Sequence, residues 1–402
     1  MAVTSQASTS AAQLSYLEEE TFGVTPAVGA PKLLRMTGED LNFDYSMEQS
    51  AEINATRQVS DAIITDASAT GGFNFKMQYR EYDPFIEALL CSEFAVFGVG
   101  GVKTLTVTFN KTNRTITGGA GDFTGLVVGQ YIGIKESTKN NGHYRITTNT
   151  GAVLTVDEET PLLDDEASVE VEVSSSRVTV GTGDLRSFSI EKSFTDVDQY
   201  FMHRGRAISR MELSFATGQI LTGSFGTIGK DVIRADATQF AEAAVPAEAF
   251  GISSAVTGVG QIFVRNKAGS SILGGAYINS ANIVIDGVLR EQKAIGHLGA
   301  IGIGKGTYSI TGTLELYLAT GSIYDAALAN QLISVVIPTK DVEGNGYAFI
   351  FNNVKLNVPS VAAGAKDQDV MLSCPFTAVA PSSAVDKMII VDRFGDSAVT
   401  TT

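Results

Sequence analysis

The chain has 402 residues, with 29 Lys and Arg against 44 Asp and Glu, which gives a formal net charge of −15. This acidic balance excludes the basic surface that binds nucleic-acid phosphates. Charged residues make up only 18% of the chain, which is low for a free monomer, so part of the surface is expected to be buried against other chains.

The sequence predicts neither an export signal nor a membrane helix. The first residues, MAVTSQASTSAAQ, have no basic start and no apolar core, so no signal peptide is expected. No apolar run reaches the roughly 18 residues that a membrane helix needs. Cys91 and Cys374 lie far apart in apolar contexts, which favours two buried free thiols in a reducing compartment over a disulfide.

Period-two alternation predicts strands over most of the chain, and two stretches predict helices. Apolar and polar residues alternate in GGFNFKMQY, RMELSF, ANIVID and TLELYL, a pattern typical of strands with one buried face. The first helix is predicted to begin with Asp83 as its N-cap, followed by a proline, and its apolar stripe reaches Phe94. The second is predicted to begin at Ser322, with Asp325 nearly completing a capping box and a stripe that reaches Leu332.

The order of these elements repeats along the chain. Residues 41–90 and 283–332 each read strand, long polar loop, strand, helix over 50 residues, and a further strand group follows each block. Two matching blocks in one order favour duplication of a whole domain over chance recurrence of a common pattern. After the first helix, short Thr- and Val-rich strands joined by Gly and Asn turns predict an inserted all-β sandwich or barrel.

The sequence therefore predicts a mainly β chain of two related modules and one insertion. The predicted segments are a polar N-terminal arm at 1–32, module 1 at 33–97 and 184–230, the inserted β-domain at 98–183, an irregular or extended linker at 231–270, and module 2 at 271–402.

No stretch predicts a catalytic, cofactor or metal site. The histidines His143, His203 and His297 lack a nucleophile elbow or a Cys–His motif, so packing or surface roles are favoured. Eight carboxylates in 157–172 are compatible with a hard cation, but solvated strand edges explain them better. The GxGxG pattern in 296–306 precedes a strand, which favours a glycine-rich hairpin over a phosphate loop. We therefore expect no enzyme.

Five stretches in a fixed order give the chain a family resemblance. They are LSYLEEETFGVTP; LRMTGEDLNFDYSMEQSAEI with RQVSDAI; SFSIEKSFTDV with TGQILTGSFGTIGK; VLREQKAIGHLGAIGIGKGTYSITGTLELYL; and KDQDVMLSCPFTA. Together they resemble the tail tube proteins of long-tailed, siphovirus-like bacteriophages. The alternative is another self-assembling β-rich structural protein, such as a capsid decoration or surface-layer subunit.

This resemblance implies a fold, an assembly and its partners. Each module would be a β-sandwich or half-barrel with a flanking helix, in rings whose inner wall is a continuous β-barrel. Rings would stack into the virion tail tube, assembled in the host cytoplasm. The lumen would hold genomic DNA and the tape measure protein without specific binding, and tail terminator and distal tail proteins would occupy the ends.

The duplication adds expectations about symmetry and surfaces. Six modules per ring predict three chains with pseudo-sixfold symmetry, and the alternative is a ring of six chains. The net charge predicts an acidic lumen that repels DNA. The inserted domain is expected to project outward, either as a decoration or as a weak binder of the host surface or of carbohydrate.

Two matched loops, at 46–61 and 289–304, are predicted to join successive rings because each is long and lacks a core pattern. A cluster of charge in RSFSIEKSFTDVDQYFMHRGRAISRMELSF is predicted to lie where the chain turns and to contact a neighbouring subunit. The candidate inter-subunit residues are Glu48, Glu52, Arg57, His203, Arg204, Arg206, Arg290 and Glu291.

Overall fold

The computed structural model describes residues 6–53, 55–56, 58–158, 160–253, 262–362, 366–380 and 387–396. The first half contains β1 (Ala12–Glu18), β2 (Lys32–Leu34), β3 (Gly38–Glu39), β4 (Asn42–Gln49), β5 (Ala62–Thr70), β6 (Gly72–Lys76), α1 (Asp83–Leu90) and β7 (Ala95–Val96). Next come β8 (Val102–Asn110), β9 (Thr115–Thr117), β10 (Tyr131–Lys135), β11 (Gly142–Asn149), β12 (Val153–Val156) and β13 (Glu166–Ser174).

The chain then returns to the first half with β14 (Ser176–Thr179), β15 (Ser187–Phe194), β16 (Gln199–Ala216), β17 (Thr222–Ile228) and β18 (Asp231–Ala235). The second half contains β19 (Phe263–Asn266), β20 (Ile278–Asp286), β21 (Arg290–Gln292), β22 (Gly302–Gly304), β23 (Ser309–Tyr317), α2 (Ser322–Leu328), β24 (Leu332–Lys340), β25 (Gly346–Leu356), β26 (Ser360–Ala362), β27 (Met371–Ala378) and β28 (Ile390–Phe394). The mainly β prediction is confirmed.

Each half contributes a run of six strands in the same order. In the first half β1 pairs with β15, and the run continues through β16, β17 and β6 to β3. In the second half β19 pairs with β24, and the run continues through β25, β27 and β23 to β20. All these pairings are antiparallel, so the two halves share one connectivity.

A long hairpin opens each half. In the first, residues 38–49 pair with residues 62–74. In the second, residues 278–292 pair with residues 302–316. The two hairpins have matching registers, and their core-facing residues correspond.

The halves join edge to edge through β16 and β20. Residues 210–214 pair with β17 on one side, and residues 210–216 pair with residues 280–286 of β20 on the other. Met211 and Leu213 of β16 alternate into the core together with Ile283 and Ile285 of β20. One hydrophobic core consequently contains side chains from both halves.

The helix of the first half fills the centre of this core. The ring of Phe85 lies 4.7 to 5.6 Å from those of four other aromatic residues, Tyr16, Phe73, Phe188 and Phe225. Aromatic packing at such distances adds to the free energy gained by burial alone.

Asp83 links the first helix to the second half. Its Oδ1 accepts a hydrogen bond from the Tyr347 hydroxyl at 2.6 Å, and its Oδ2 contacts Arg393 Nη1. Burial raises the pKa of the Asp83 carboxyl, and the charge of Arg393 opposes that rise. Since Tyr347 and Arg393 lie on β25 and β28, these buried contacts fix the helix against the second half.

Both helices begin where the sequence predicts, but their caps and ends differ. Tyr82 and Gly321 are the N-caps, and neither makes a side-chain capping bond. The first helix ends at Leu90, because its C-cap Cys91 has a left-handed φ of 48°, and Leu332 begins β24. Sheet pairing therefore overrides the apolar stripes that predict longer helices. Among the described residues, no helix is long and apolar enough to span a membrane.

The predicted arm and linker both supply strands. From the arm at 1–32, β1 lies between β15 and β2. From the linker at 231–270, β18 pairs with β16 and β19 pairs with β24. Residues 1–5 and 254–261 lie outside the described part. β1 and β19 occupy equivalent places in the two runs, which explains why these segments are extended yet paired.

The insertion is a closed six-stranded barrel, in the order β10-β11-β12-β9-β8-β13, with its own hydrophobic core. Closure leaves no free edge. The barrel packs through Tyr131 on the second half, against Phe263, Val336, Ala348, Ile350, Ile390 and Phe394. The neighbouring residues Val335, Ile337, Phe349, Phe351 and Val391 face the main core. The barrel therefore lies against β24, β25 and β28 on the side of these strands that is turned away from the core.

Candidate assembly surfaces

A buried Arg–His pair lies in the middle of β16. Arg206 is fully buried, and its Nη2 lies 2.8 Å from His203 Nδ1. Arg206 also donates hydrogen bonds to the carbonyl oxygens of Asn42, at 2.7 Å, and Thr70, at 2.8 Å. Asn42 and Thr70 are opposite each other at the start of the β4–β5 hairpin. Arg206 thus fixes the point at which this hairpin leaves the sheet.

Burial keeps His203 neutral. Since Arg206 donates to Nδ1, we place the imidazole proton on Nε2. Burial, aided by the charge of Arg206, lowers the pKa of His203 to about 3, and burial lowers the pKa of Arg206 to about 10. Both side chains are buried within the chain, and a contact of either residue with a neighbouring subunit stays a prediction. Backbone carbonyls, which no sequence pattern reveals, accept hydrogen bonds from Nη1 and Nη2 of Arg206.

The predicted turn lies a few residues earlier than this pair. Residues 195–198 connect β15 to β16, and β16 then runs without interruption through Gly205. Gly205 has a φ of 67°, and a Cβ there would lie 2.8 Å from the Phe22 ring. The glycine therefore permits a kink within one long strand.

Arg204 forms an ion pair within the chain. Its Nε and Nη2 donate to the two carboxylate oxygens of Asp231 at 2.8 and 2.6 Å. This bidentate pair joins β16 to β18 and occupies much of the guanidinium. A contact between Arg204 and another subunit stays a prediction.

The first hairpin is exposed almost throughout β4 and carries apolar side chains toward solvent. The exposed apolar residues of the hairpin are Tyr45, Met47, Ile53, Val59, Ile63 and Ile64. Ile53, near its tip, is fully exposed. An apolar patch of this kind on a projecting hairpin is typical of a protein interaction surface.

The predicted ion-pair residues of this hairpin lie on its surface. Glu48 is exposed on β4, and Glu52 accepts a hydrogen bond from the Ser60 hydroxyl at 2.9 Å. Arg57 lies outside the described residues. These surface charges stay predicted contacts between chains.

The second hairpin rests on the base of the first. Lys293 Nζ lies 2.6 and 2.8 Å from the carboxylate oxygens of Asp66, and its hydrogen bond lowers the pKa of that carboxyl. Ile295 is fully exposed, like Ile53 on the first hairpin. Arg290 is exposed, whereas Glu291 lies 3.2 Å from Lys293. The two predicted stacking loops are therefore neighbours within one chain.

Strand β26 has an unpaired edge. In the described part of the chain, residues 360–362 pair with β27 on one side only, and all three are exposed. The corresponding residues of the first half, 212–214, have β17 on one side and residues 282–284 of β20 on the other. The second half thus lacks the neighbour that its counterpart has.

The first hairpin has the complementary free edge. Residues 38–42 have strand partners on one side only within the described ranges. Their counterparts in β20 pair with β23 on one side and with β16 on the other. The free edges of β26 and of residues 38–42 therefore match the two sides of the β16–β20 joint within the chain.

Three other predicted features find structural roles. The glycine run of 296–306 forms part of the β21–β22 hairpin, which confirms that prediction. In the acidic segment, Asp157 bonds Arg145, Asp164 bonds Lys139, and Glu166 accepts from Ser137 and Asn140. Both cysteines are buried and free, also as predicted. Within the described residues, no group of three or more His, Cys, Asp and Glu is placed to hold a metal.

Sequence reasoning missed the edge of β26 and the Lys293–Asp66 pair. β26 alternates over only three residues, too few for a periodic signal. Lys293 and Asp66 are separated by 227 positions, and no local pattern connects them. The matching order of elements in the two halves is the signal from which the free edge follows.

Comparison with protein families gives one match. Residues 9–378 match the family model for phage tail tube protein. No curated protein matches the sequence.

The neutral imidazole of His203 predicts acid sensitivity. The unfolded chain protonates histidine below about pH 6.5, whereas the folded chain resists protonation until about pH 3, so stability is lost as the pH falls between them. When the pH falls from 7 to 4.5, we expect the free energy of unfolding of the wild type to drop by roughly 2–3 kcal/mol more than that of His203→Gln.

Urea denaturation of the soluble chain at each pH measures this difference. Glutamine still accepts a hydrogen bond from Arg206, and His143, whose pKa burial lowers to about 4, titrates in both proteins and cancels. Equal losses in the two proteins would contradict a buried, neutral His203.

Proposed function

The chain belongs to the phage tail tube protein family, and from this premise we propose that its copies join edge to edge into rings that stack into a hollow tube for DNA. The family is structural rather than enzymatic, and membership makes the protein a self-assembling component of the virion tail. The observation that carries the ring proposal is the free edge of β26, which matches one side of the joint within the chain. This edge and the family match favour a tube over a capsid decoration or surface-layer subunit.

The joint inside the chain supplies a template for the joint between chains. Within the chain, Glu212 of β16 lies opposite Val284 of β20. Ser360 occupies the place of Glu212, and Asn42 occupies the place of Val284 in the first hairpin. We therefore place Ser360 of one copy opposite Asn42 of the next, in an antiparallel pair. Joining these edges satisfies backbone groups that otherwise face water.

Two modules per chain lead to a ring of three chains with pseudo-sixfold symmetry. The shared strand order of the halves supports duplication. In a ring of three such chains, the joint within each chain would alternate with the joint between chains. The alternative of six chains per ring would double the number of modules around the wall. A closed ring removes free edges, which an open arrangement would leave at both ends.

The strands β6, β17, β16, β20, β23 and β27 are joined side by side, and their face turned away from the core is suited to line the lumen. It carries mostly hydroxyl, amide and carboxylate groups, from Asn74, Glu212, Ser214, Ser224, Asn282, Thr313, Glu315 and Ser373. Carboxylates here would repel DNA phosphates and let the genome and the tape measure protein slide without specific binding. Tail terminator and distal tail proteins would close the two ends after assembly in the host cytoplasm.

The inserted barrel projects outward in this arrangement. It packs on the face of the β24–β25–β28 sheet that is turned away from the core. The proposed lumen face lies on the other side of that core. The barrel therefore leaves both the lumen and the strand edges open.

The hairpins join one ring to the next. Each carries a fully exposed isoleucine, Ile53 or Ile295, and the Lys293–Asp66 pair holds the hairpins side by side. Burying an isoleucine contributes roughly 1.5–3 kcal/mol. A ring of three chains presents several such side chains at once, so stacking rests on many apolar contacts rather than on surface ion pairs.

Paired cysteines test the edge joint. Opposite residues in an antiparallel pair have Cα atoms about 4.5–5.5 Å apart, a separation that a disulfide spans. We expect Ser360→Cys combined with Asn42→Cys to form covalent oligomers on oxidation of assembled tubes. Denaturing electrophoresis without reductant detects them.

The matched control combines Ser360→Cys with Val99→Cys, because Val99 is 89% exposed on the segment that leads into the barrel. This control and both single variants should remain single chains. Tubes of the Ser360–Asn42 pair that assemble but do not cross-link would overturn the proposed joint.

Serine substitutions test ring stacking. Ile53→Ser with Ile295→Ser removes the apolar tips but leaves both hairpins in place. We expect soluble rings and few tubes, because each lost burial weakens stacking by roughly 1.5–3 kcal/mol. Light scattering and negative-stain microscopy measure the result, with Val99→Ser as the control for an exposed apolar residue. Tubes of normal length from the double variant would exclude these tips from the ring contact.

A further inference from the structure

A cleft of about 520 Å³ lies where the inserted barrel meets the second half. Its walls come from the barrel at 127–129, from β14, from β19 with its following turn, and from residues near β28. This volume is within the range of small-ligand sites. The cleft is separate from the strand edges and the hairpins.

The lining of the cleft is cationic. Five basic side chains line it, namely Arg145, Arg177, Arg265, Lys267 and Lys387, and its described lining contains neither Asp nor Glu. Asp157 pairs with Arg145 and Arg265, and Asp392 pairs with Arg177. Lys267 and Lys387 form no ion pair with a carboxylate in the described part of the chain, although the whole chain carries a net charge of −15.

The cationic groups are held in place before any ligand arrives. Arg177 donates through Nε and Nη2 to fully buried Asp392, at 2.6 and 2.7 Å. Asp392 is itself fixed by the backbone N–H of Tyr131, at 2.8 Å. The guanidinium of Arg265 stacks 4.8 Å from the centre of the Phe263 ring. Preorganised donors lose little conformational entropy when they bind an anion.

Cationic side chains that line one cleft repel one another, and the two lysines have no carboxylate to offset that repulsion. An oxyanion with more than one negative charge would offset that repulsion. Val127 and Val128 add an exposed apolar wall, and Ser334 and Asn352 add neutral polar groups, a mixture that suits the ring of a sugar. We propose that this cleft binds a phosphate group, either free or carried by a sugar.

Calorimetric titration of the full-length soluble chain tests this site. The probes are inorganic phosphate, glucose 6-phosphate and glucose, in a buffer of low ionic strength without phosphate. We expect one phosphate per chain, with affinity that falls as salt rises. Tighter binding of glucose 6-phosphate than of phosphate would assign the valine wall to a sugar, and equal affinities would assign the cleft to phosphate alone.

The variant Lys387→Glu should weaken phosphate binding about tenfold or more, because a like charge replaces one charge-assisted contact. Lys111→Glu makes the same charge change at an exposed turn of the barrel, away from the cleft, and should leave the affinity within about twofold. Lys267→Gln provides a second, milder variant and should also weaken binding. Absence of phosphate binding by the wild type, equal effects of Lys387→Glu and Lys111→Glu, or binding of neutral glucose would each overturn the proposal.

Discussion

A strand edge without a neighbour leaves backbone N–H and C=O groups without partners, and this constraint governs the molecule. Inside the chain, β16 and β20 satisfy it by joining the two halves. Elsewhere, β26 and residues 38–42 repeat the two sides of that joint, but they do not pair with each other in the described part of the chain. A ring of copies is the simplest arrangement that gives every one of these edges a neighbour.

The other features are compatible with the proposed ring. Arg206 is costly to bury, and its bonds to the carbonyls of Asn42 and Thr70 offset that cost while they set the direction of the first hairpin. Asp83 holds the helix of the first half against the second half through Tyr347 and Arg393. The barrel closes on itself, so it adds no edge that would compete with ring closure. The low content of charged residues is consistent with a chain that buries much of its surface against its own copies.

Much of the fold could be read from the sequence because alternation and helix starts are local signals. The strands around Phe73 and Leu314, the two helix starts and the inserted β-domain all follow from such patterns. The helix ends could not be predicted, because the apolar stripes continue beyond them. The first helix stops before Cys91, which is left-handed, and Leu332 already belongs to strand β24. The burial of His203 and Arg206 could not be predicted either. Arg206 bonds to backbone carbonyls more than 100 positions away, and His203 in turn contacts Arg206. Surface candidates such as Glu48 and Arg290 lie on exposed strands, and their contacts with a second chain stay predictions, because no local pattern in one sequence identifies a residue of a neighbouring chain.

High-resolution cryo-electron microscopy of assembled tubes can show directly which strands join one chain to the next. We predict a ring of three chains with three outward barrels, a continuous wall of strands, and β26 of each chain beside residues 38–42 of the next. Six chains and six barrels per ring, or a wall in which β26 has no strand neighbour, would contradict it.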